Sequence, residues 1–176
     1  MRTQLTLICA MAVWAVGCGG GGKKAPATGG TSKEMKMQTA EPSATTKEVL
    51  GQIAGYQSWP KFTENATPKQ SKGHMNMFVL AFHNDVVTGA LEAKTLPLPD
   101  GSIIVKQNMA KATDSAPMAI TVMAKRGGKW HWSETTPDGK VVVMEGKALE
   151  GEDVGMCVNC HQQSEDNDFV VTHPIK

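Results

Sequence analysis

The chain has little excess charge, few cysteines and no long apolar segment. It carries 18 Lys and Arg against 17 Asp and Glu, and loss of Arg2 with an export signal leaves 17 of each. This balance argues against nucleic acid as a partner. The uncharged run at residues 5–17 is too short to cross a bilayer as a stable helix.

The same run follows Arg2 and has the length of the apolar part of a secretory signal peptide. It ends in Ala15-Val16-Gly17-Cys18, which resembles the lipobox of bacterial lipoproteins, where the cysteine is lipidated and becomes the first mature residue. We therefore predict a signal peptide over 1–17, lipidation of Cys18, and a periplasmic protein that meets the membrane only through its lipid. The alternative is ordinary cleavage nearby, which leaves Cys18 as an unmodified thiol.

Two of the four cysteines leave with the signal or take the lipid, so only Cys157 and Cys160 remain and no disulfide framework can form. Residues 18–46 include four consecutive glycines and have no apolar period. Such a segment cannot bury enough surface to fold, so it is predicted to be a disordered, lipidated tether. The folded domain is predicted over residues 47–176.

The predicted fold class is α+β and sheet-dominated, an antiparallel meander with a helix at each sequence end. Thr45-Thr46-Lys47-Glu48 resembles a capping box and starts an amphipathic helix that runs to about residue 58. Residues 75–83 form an apolar run typical of a strand buried on both faces. Asn84 is predicted to cap a short helix after this strand.

Turn signals then divide the chain into short strands, including Gly127-Gly128 and Pro137-Asp138-Gly139. The predicted strands are 102–109, 119–125, 129–135 and 141–145. Residues 150–163 are predicted to be a short helix that carries the two remaining cysteines.

Cys157-Val158-Asn159-Cys160-His161 is a C-x-x-C-H haem-attachment pattern. Two thiols one helical turn apart can add to the two vinyl groups of one porphyrin, and the next residue, His161, then lies beneath the iron. The pattern predicts one covalent haem c, with Cys157 and Cys160 binding the macrocycle and His161 ligating the iron. Covalent attachment suits an exported protein, which cannot replace lost haem.

Two other uses of the cysteine pair fit the sequence less well. A zinc site normally needs four ligands, and no second C-x-x-C is present. A thioredoxin-like redox pair normally follows the first strand of an α/β unit, whereas this pair lies near the end of the chain behind a β meander.

The sixth iron position is ambiguous, because His74, His83, His131, His173 and many methionines can supply a ligand. Met77 and Met123 lie in apolar strands, where a core role is the simpler explanation. The Met35/Met37 and Met75/Met77 pairs also suggest weak copper binding.

Several separate segments, in this order, resemble the cytochrome P-460 family, which includes the c′-β cytochromes. They are Trp59-Pro60-Lys61, Gly73-His74, Phe82-His83-Asn84, residues 99–106, and the C-x-x-C-H motif followed by residues 166–170. The resemblance spans about residues 48–176. It implies a sheet-dominated, usually dimeric haem protein in which His161 is the proximal ligand and the distal side is open to small molecules.

Within this family, P-460 members oxidise hydroxylamine and c′-β members bind nitric oxide or carbon monoxide. The resemblance implies that P-460 haems carry an extra bond from a lysine in strand 75–83, and that hydroxylamine oxidation uses an acidic residue just after Lys106. This sequence has no lysine in that strand, and Gln107 follows Lys106. Gln107 is therefore the candidate distal residue.

The same strand offers an apolar distal wall of Phe78, Leu80 and Phe82 if that face meets the haem. Period two allows Met77, Val79 and Ala81 equally well. The leading hypothesis is an open haem site that binds nitrogen oxides or diatomic gases. The alternatives are a hydroxylamine- or nitric-oxide-oxidising enzyme, distinguished by a distal proton acceptor, and an electron carrier with a six-coordinate haem and an unknown redox partner.

Overall fold

A computed structural model describes residues 37–175. The predicted signal peptide, Cys18 and most of the predicted tether lie outside this range. The elements in chain order are β1 (Gln38–Ala40), α1 (Ala44–Gln52), β2 (Lys69–Gln70), β3 (Phe78–His83), α2 (Asp85–Ala93), β4 (Ile103–Met109), β5 (Ala119–Arg126), β6 (Lys129–Thr135), β7 (Val141–Met144), β8 (Lys147–Ala148), β9 (Glu150–Gly151) and α3 (Gly155–His161).

The nine strands of the described range form one antiparallel sheet in the order β1-β7-β6-β5-β4-β3-β2, with β8 on β7 and β9 on β6. The centre is the predicted meander, and its longest hairpin joins β5 to β6 through Gly127 and Gly128. Their φ values of 56° and 78° suit a two-residue hairpin turn that favours glycine. The α+β, sheet-dominated class is confirmed, with helices near both sequence ends.

Both helices in the first half of the domain begin at side-chain caps. Asn84 Oδ1 accepts from the Val87 amide at 3.2 Å, which confirms the cap predicted for α2. For α1 the cap is Ser43, whose Oγ accepts from the Thr46 amide at 3.2 Å. The helix ends at Gln52 and not near residue 58, because Gly55 turns left-handed with φ 77° and a separate 3-10 turn follows.

The predicted boundary between tether and domain is wrong by several residues. Gln38–Ala40 pairs with Val141–Val143 at the edge of the sheet, so ordered structure begins before residue 47. The start of the predicted C-terminal helix also differs. Glu150–Gly151 pairs with β6 as strand β9, and α3 begins only at Gly155.

Alternation along the central strands gives the sheet two separate cores. One face packs against α1 and includes Val49, Tyr56, Phe82 and Val105. The other face packs against α2 and α3. No helix among residues 37–175 is long and apolar enough to cross a membrane.

Candidate functional site: a cleft closed by the C-x-x-C-H helix

A cleft of about 810 Å³, including its open mouth, lies between α3 and the sheet. Its walls come from α3, the 3-10 segment before β3, the face of the sheet opposite α1, and the chain after α3. The lining residues are Gly73, His74, Met75, Met77, Ile104, Lys106, Thr121, Met123, Glu134, Met144, Met156, Cys157, Cys160, His161, Val170, Val171 and Thr172.

The sequence-predicted cysteines and histidine all lie in this cleft. Cys157 and Cys160 are half-buried thiols on α3, separated by about one helical turn. Burial, with the nearby Glu134 carboxylate, raises the pKa of the Cys157 thiol to about 11. A redox-active pair needs a lowered thiol pKa, so Cys157 does not resemble one.

Gly73 faces the second cysteine across the cleft. A Cβ built on Gly73 would lie 3.4 Å from Cys160 Sγ. The absence of a side chain at residue 73 thus leaves space beside the sulfur that a thioether would use.

His161 is held in one orientation by contacts on two sides. Its Nδ1 lies 2.7 Å from the Phe169 carbonyl oxygen. The Trp132 ring packs edge-on with its centroid 4.8 Å away. Because a carbonyl only accepts, Nδ1 carries the proton and Nε2 keeps its lone pair. Burial and the Lys106 charge lower the pKa of His161 to about 4, so the ring is neutral, as a metal ligand requires.

The sheet supplies the opposite wall of the cleft as two rows that cross three neighbouring strands. Ile104, Met123 and Trp132 are paired across β4, β5 and β6 and form an apolar row, of which Ile104 and Met123 line the cleft. Two residues away on each strand, Lys106, Thr121 and Glu134 are paired in the same way and form a second, polar row.

The polar row carries two charged groups whose pKa values are shifted by burial. The pKa of Glu134 is raised, which favours its neutral form more than in water. The pKa of Lys106 is lowered to about 8. One strand, β5, lies between their strands, so their backbones are roughly 10 Å apart.

His74 is the other polar group of the wall. Its Nε2 lies 3.0 Å from Lys106 Nζ. Burial, then the Lys106 and His161 charges, lower the pKa of His74 to about 3. A neutral His74 therefore accepts a hydrogen bond from Lys106 through Nε2, so the lone pair of that atom is already engaged.

The distal residues predicted from the sequence lie elsewhere. Leu80 and Phe82 pack in the α1 core on the opposite face of the sheet, and Phe78 shares their face by alternation. Gln107 also points that way, because its Nε2 donates to the Tyr56 hydroxyl at 2.9 Å. The proposed aromatic wall and the distal role of Gln107 are both wrong. The other face allowed by period two is the one that meets the cleft. Ala81 belongs to the core that packs against α2 and α3, and Met77 lines the cleft.

Of the other candidate iron ligands, some line the cleft and others lie away from it. Met109 is buried but does not line the cleft, whereas Met75 and Met77 both do. His83, His131 and His173 bond to Thr88, Thr46 and Glu64 away from it. Residues 37–175 contain no group of three or more His, Cys, Asp and Glu side chains arranged to hold a metal ion.

A cleft closed by a C-x-x-C-H helix, with a neutral histidine that keeps its Nε2 lone pair, defines the site of a c-type cytochrome. Residues 53–172 match the family model described as Cytochrome P460, and the chain belongs to that family. No curated protein and no solved structure matched the chain. The family implies haem with its iron as the cofactor, and the sulfur pair, the neutral histidine and the space that Gly73 leaves beside Cys160 fit that group.

Proposed function

We propose that the protein is a mono-haem c-type cytochrome whose cleft binds small nitrogen oxides or diatomic gases. Cys157 and Cys160 hold the haem as thioethers, and His161 ligates its iron through Nε2. The hydrogen bond from His161 to the Phe169 carbonyl, which leaves Nε2 as the free ring nitrogen, carries this proposal. Bound haem supplies an iron that takes a small ligand and exchanges electrons.

The engagement of His74 by Lys106 supports an open site. An electron carrier with a closed site needs an internal sixth ligand, and His74 Nε2 is already used. Met109, another internal candidate, lies outside the cleft lining, whereas Met75 and Met77 lie in it and are the methionines that a closed site would use. The polar row also favours polar nitrogen oxides as ligands, since Lys106, Thr121 and Glu134 can form hydrogen bonds to them.

Oxidation of hydroxylamine is the second candidate, and Glu134 favours it. The proton acceptor that this reaction needs is absent at residue 107 but present in the cleft at residue 134. A positioned general base typically speeds such a step by about 10²- to 10⁴-fold. In this role Glu134 takes the proton, Lys106 and Thr121 orient the substrate, and electrons pass to an external acceptor.

Optical spectra of the ferric and ferrous protein, with and without carbon monoxide, test the open site. We expect a high-spin ferrous protein that binds carbon monoxide at a rate linear in its concentration. The variant with Cys157→Ala and Cys160→Ala should lose haem in acid acetone, while Met156→Leu, a neighbouring cleft variant, should retain it. A low-spin ferrous protein that ignores carbon monoxide would support the electron carrier instead.

The sequence supports a wider setting for this chemistry. We propose a periplasmic protein anchored by lipid on Cys18, and a homodimer, as the family resemblance implies. Its redox partner is a separate protein of unknown identity. Light scattering during size-exclusion chromatography measures the oligomeric state, and a monomeric mass would overturn the dimer.

A further inference from the structure

A buried ion pair lies behind α3, on the side away from the cleft. Lys125 Nζ donates to Asp168 Oδ1 at 2.6 Å, and the two residues are only 5% and 8% exposed. Lys125 lies on β5, and Asp168 follows the 3-10 segment after α3. Neither residue lines the cleft, and the proposed function assigns them no role.

Asp168 is fixed from several directions at once. Its Oδ2 accepts from the Leu98 amide at 2.9 Å, while Trp130 Nε1 donates to its backbone oxygen at 3.0 Å. The ammonium of Lys125 also lies 4.9 Å from the Trp130 ring centroid. Removing one partner would leave an uncompensated buried charge or polar group, so these contacts depend on one another.

These contacts hold an unusual piece of backbone. Asp168 and the next residue, Phe169, both adopt left-handed conformations, with φ 52° and 66°. Non-glycine residues in this region are strained, and here the buried contacts of Asp168 hold two of them in succession. The result is that the Phe169 carbonyl points at His161 Nδ1 across 2.7 Å.

We propose that the Lys125–Asp168 pair positions His161. It fixes the Phe169 carbonyl as the acceptor of the Nδ1 proton, and so determines the tautomer, ring orientation and basicity of the ligand. Lys125 and Asp168 are positioning residues, because they act through Phe169 and touch neither the cleft nor its ligands. This inference rests on the proposed ligation of iron by His161.

The test uses the haem-loaded protein and two spectroscopic readouts. Asp168→Asn removes the charge while keeping the side-chain shape. We expect a lower iron–histidine stretching frequency in resonance Raman spectra of the ferrous protein, and a higher midpoint potential, because a freed Nδ1 proton makes the imidazole a weaker donor. The Lys125→Arg variant keeps a buried cation beside Asp168. Its iron–histidine frequency and midpoint potential should therefore stay close to those of the unmodified protein.

Val105→Ala is the matched control, since Val105 is fully buried in the core on the other face of the sheet. It should lower stability without moving either readout. The positioning role is overturned if Asp168→Asn lowers the unfolding midpoint as Val105→Ala does but leaves the frequency and potential unchanged. If Asp168→Asn does not accumulate, Lys125→Gln is measured by the same readouts.

If His161 does not ligate the iron, a different result is expected. His161→Ala should abolish the iron–histidine band. A band that survives this change would show that another residue ligates the iron, which would overturn both proposals.

Discussion

Glu134 shows how one alternating strand places a carboxylate in an apolar surrounding. Along β6, Trp130, Trp132 and Glu134 point to the same face, and both tryptophans are buried in the core beside the cleft. Burial raises the pKa of the Glu134 carboxyl. A carboxyl with a raised pKa is better matched to proton transfer near neutral pH than an exposed one.

If the protein oxidises hydroxylamine, Glu134→Gln should lower turnover by about 10²-fold or more, because an amide cannot accept the proton. Turnover of the unmodified protein should fall as the pH falls through the raised pKa of Glu134, where the base becomes protonated. Steady-state assays with an artificial electron acceptor measure both effects.

Gln107→Glu is the control for this prediction. It adds a carboxylate beside Tyr56 on the α1 face, outside the cleft, so turnover should not rise. A rate that rises with Gln107→Glu, or that survives Glu134→Gln, would contradict the assignment of the base.

The sequence indicates that Glu134 lies on a buried face of β6, but it does not indicate which face of β3 meets the cleft. An acidic residue in phase with two tryptophans indicates a carboxylate on a buried face. In β3, by contrast, Leu80 and Ala81 are both apolar and both faces are covered, so period two cannot choose between them. Only the packing of α1 against Phe82 decides the choice, and that contact is long-range.

Helix α1 is joined to the sheet by a buried polar contact as well as by its apolar face. Thr46 Oγ1 lies 2.9 Å from His131 Nε2 on β6. Both residues are buried, so neither can replace this partner with water. The contact fixes the rotation of a short helix of nine residues.

Thr46→Val should therefore lower the free energy of unfolding by about 1–3 kcal/mol, because it leaves the buried His131 nitrogen without a partner. Thr45→Val, one residue earlier and exposed, should change it by less than about 0.5 kcal/mol. Chemical denaturation of both variants measures the difference. Equal effects at the two positions would show that helix propensity, and not the His131 contact, is responsible.

The elements that the sequence predicted well are those with strong local signals. Strands β4 to β7 match to within about a residue and α2 begins at its predicted cap, since Gly127-Gly128 and Asn84 specify a hairpin and a cap locally. The short strands β1, β2, β8 and β9 were missed. Of these, β1 and β9 are held by pairing with a distant strand, and neither Gln38–Ala40 nor Glu150–Gly151 has a periodic pattern of its own.

At the scale of the whole molecule, the attachment to a membrane remains a prediction from residues outside the described range. Acyl chains contribute about 0.8 kcal/mol per buried methylene, so they dominate the binding of an anchored domain to a bilayer. Cys18→Ser should release the protein from the membrane pellet into the soluble fraction. Cys9→Ser, which alters a residue of the predicted signal, should leave it in the pellet.

The two cores on opposite faces of the sheet imply an order of assembly. The α1 core is closed by the chain's own side chains, whereas the α3 core surrounds the cleft proposed to hold haem. In the Cys157→Ala/Cys160→Ala chain, amides of α1 and β4 should keep slow hydrogen exchange while those of α3 exchange quickly. Uniform protection, or uniform loss, would contradict this. If haem is attached to Cys157 and Cys160 as proposed, a chain whose α3 is not yet packed leaves both thiols accessible for attachment, and the bound haem then completes the second core.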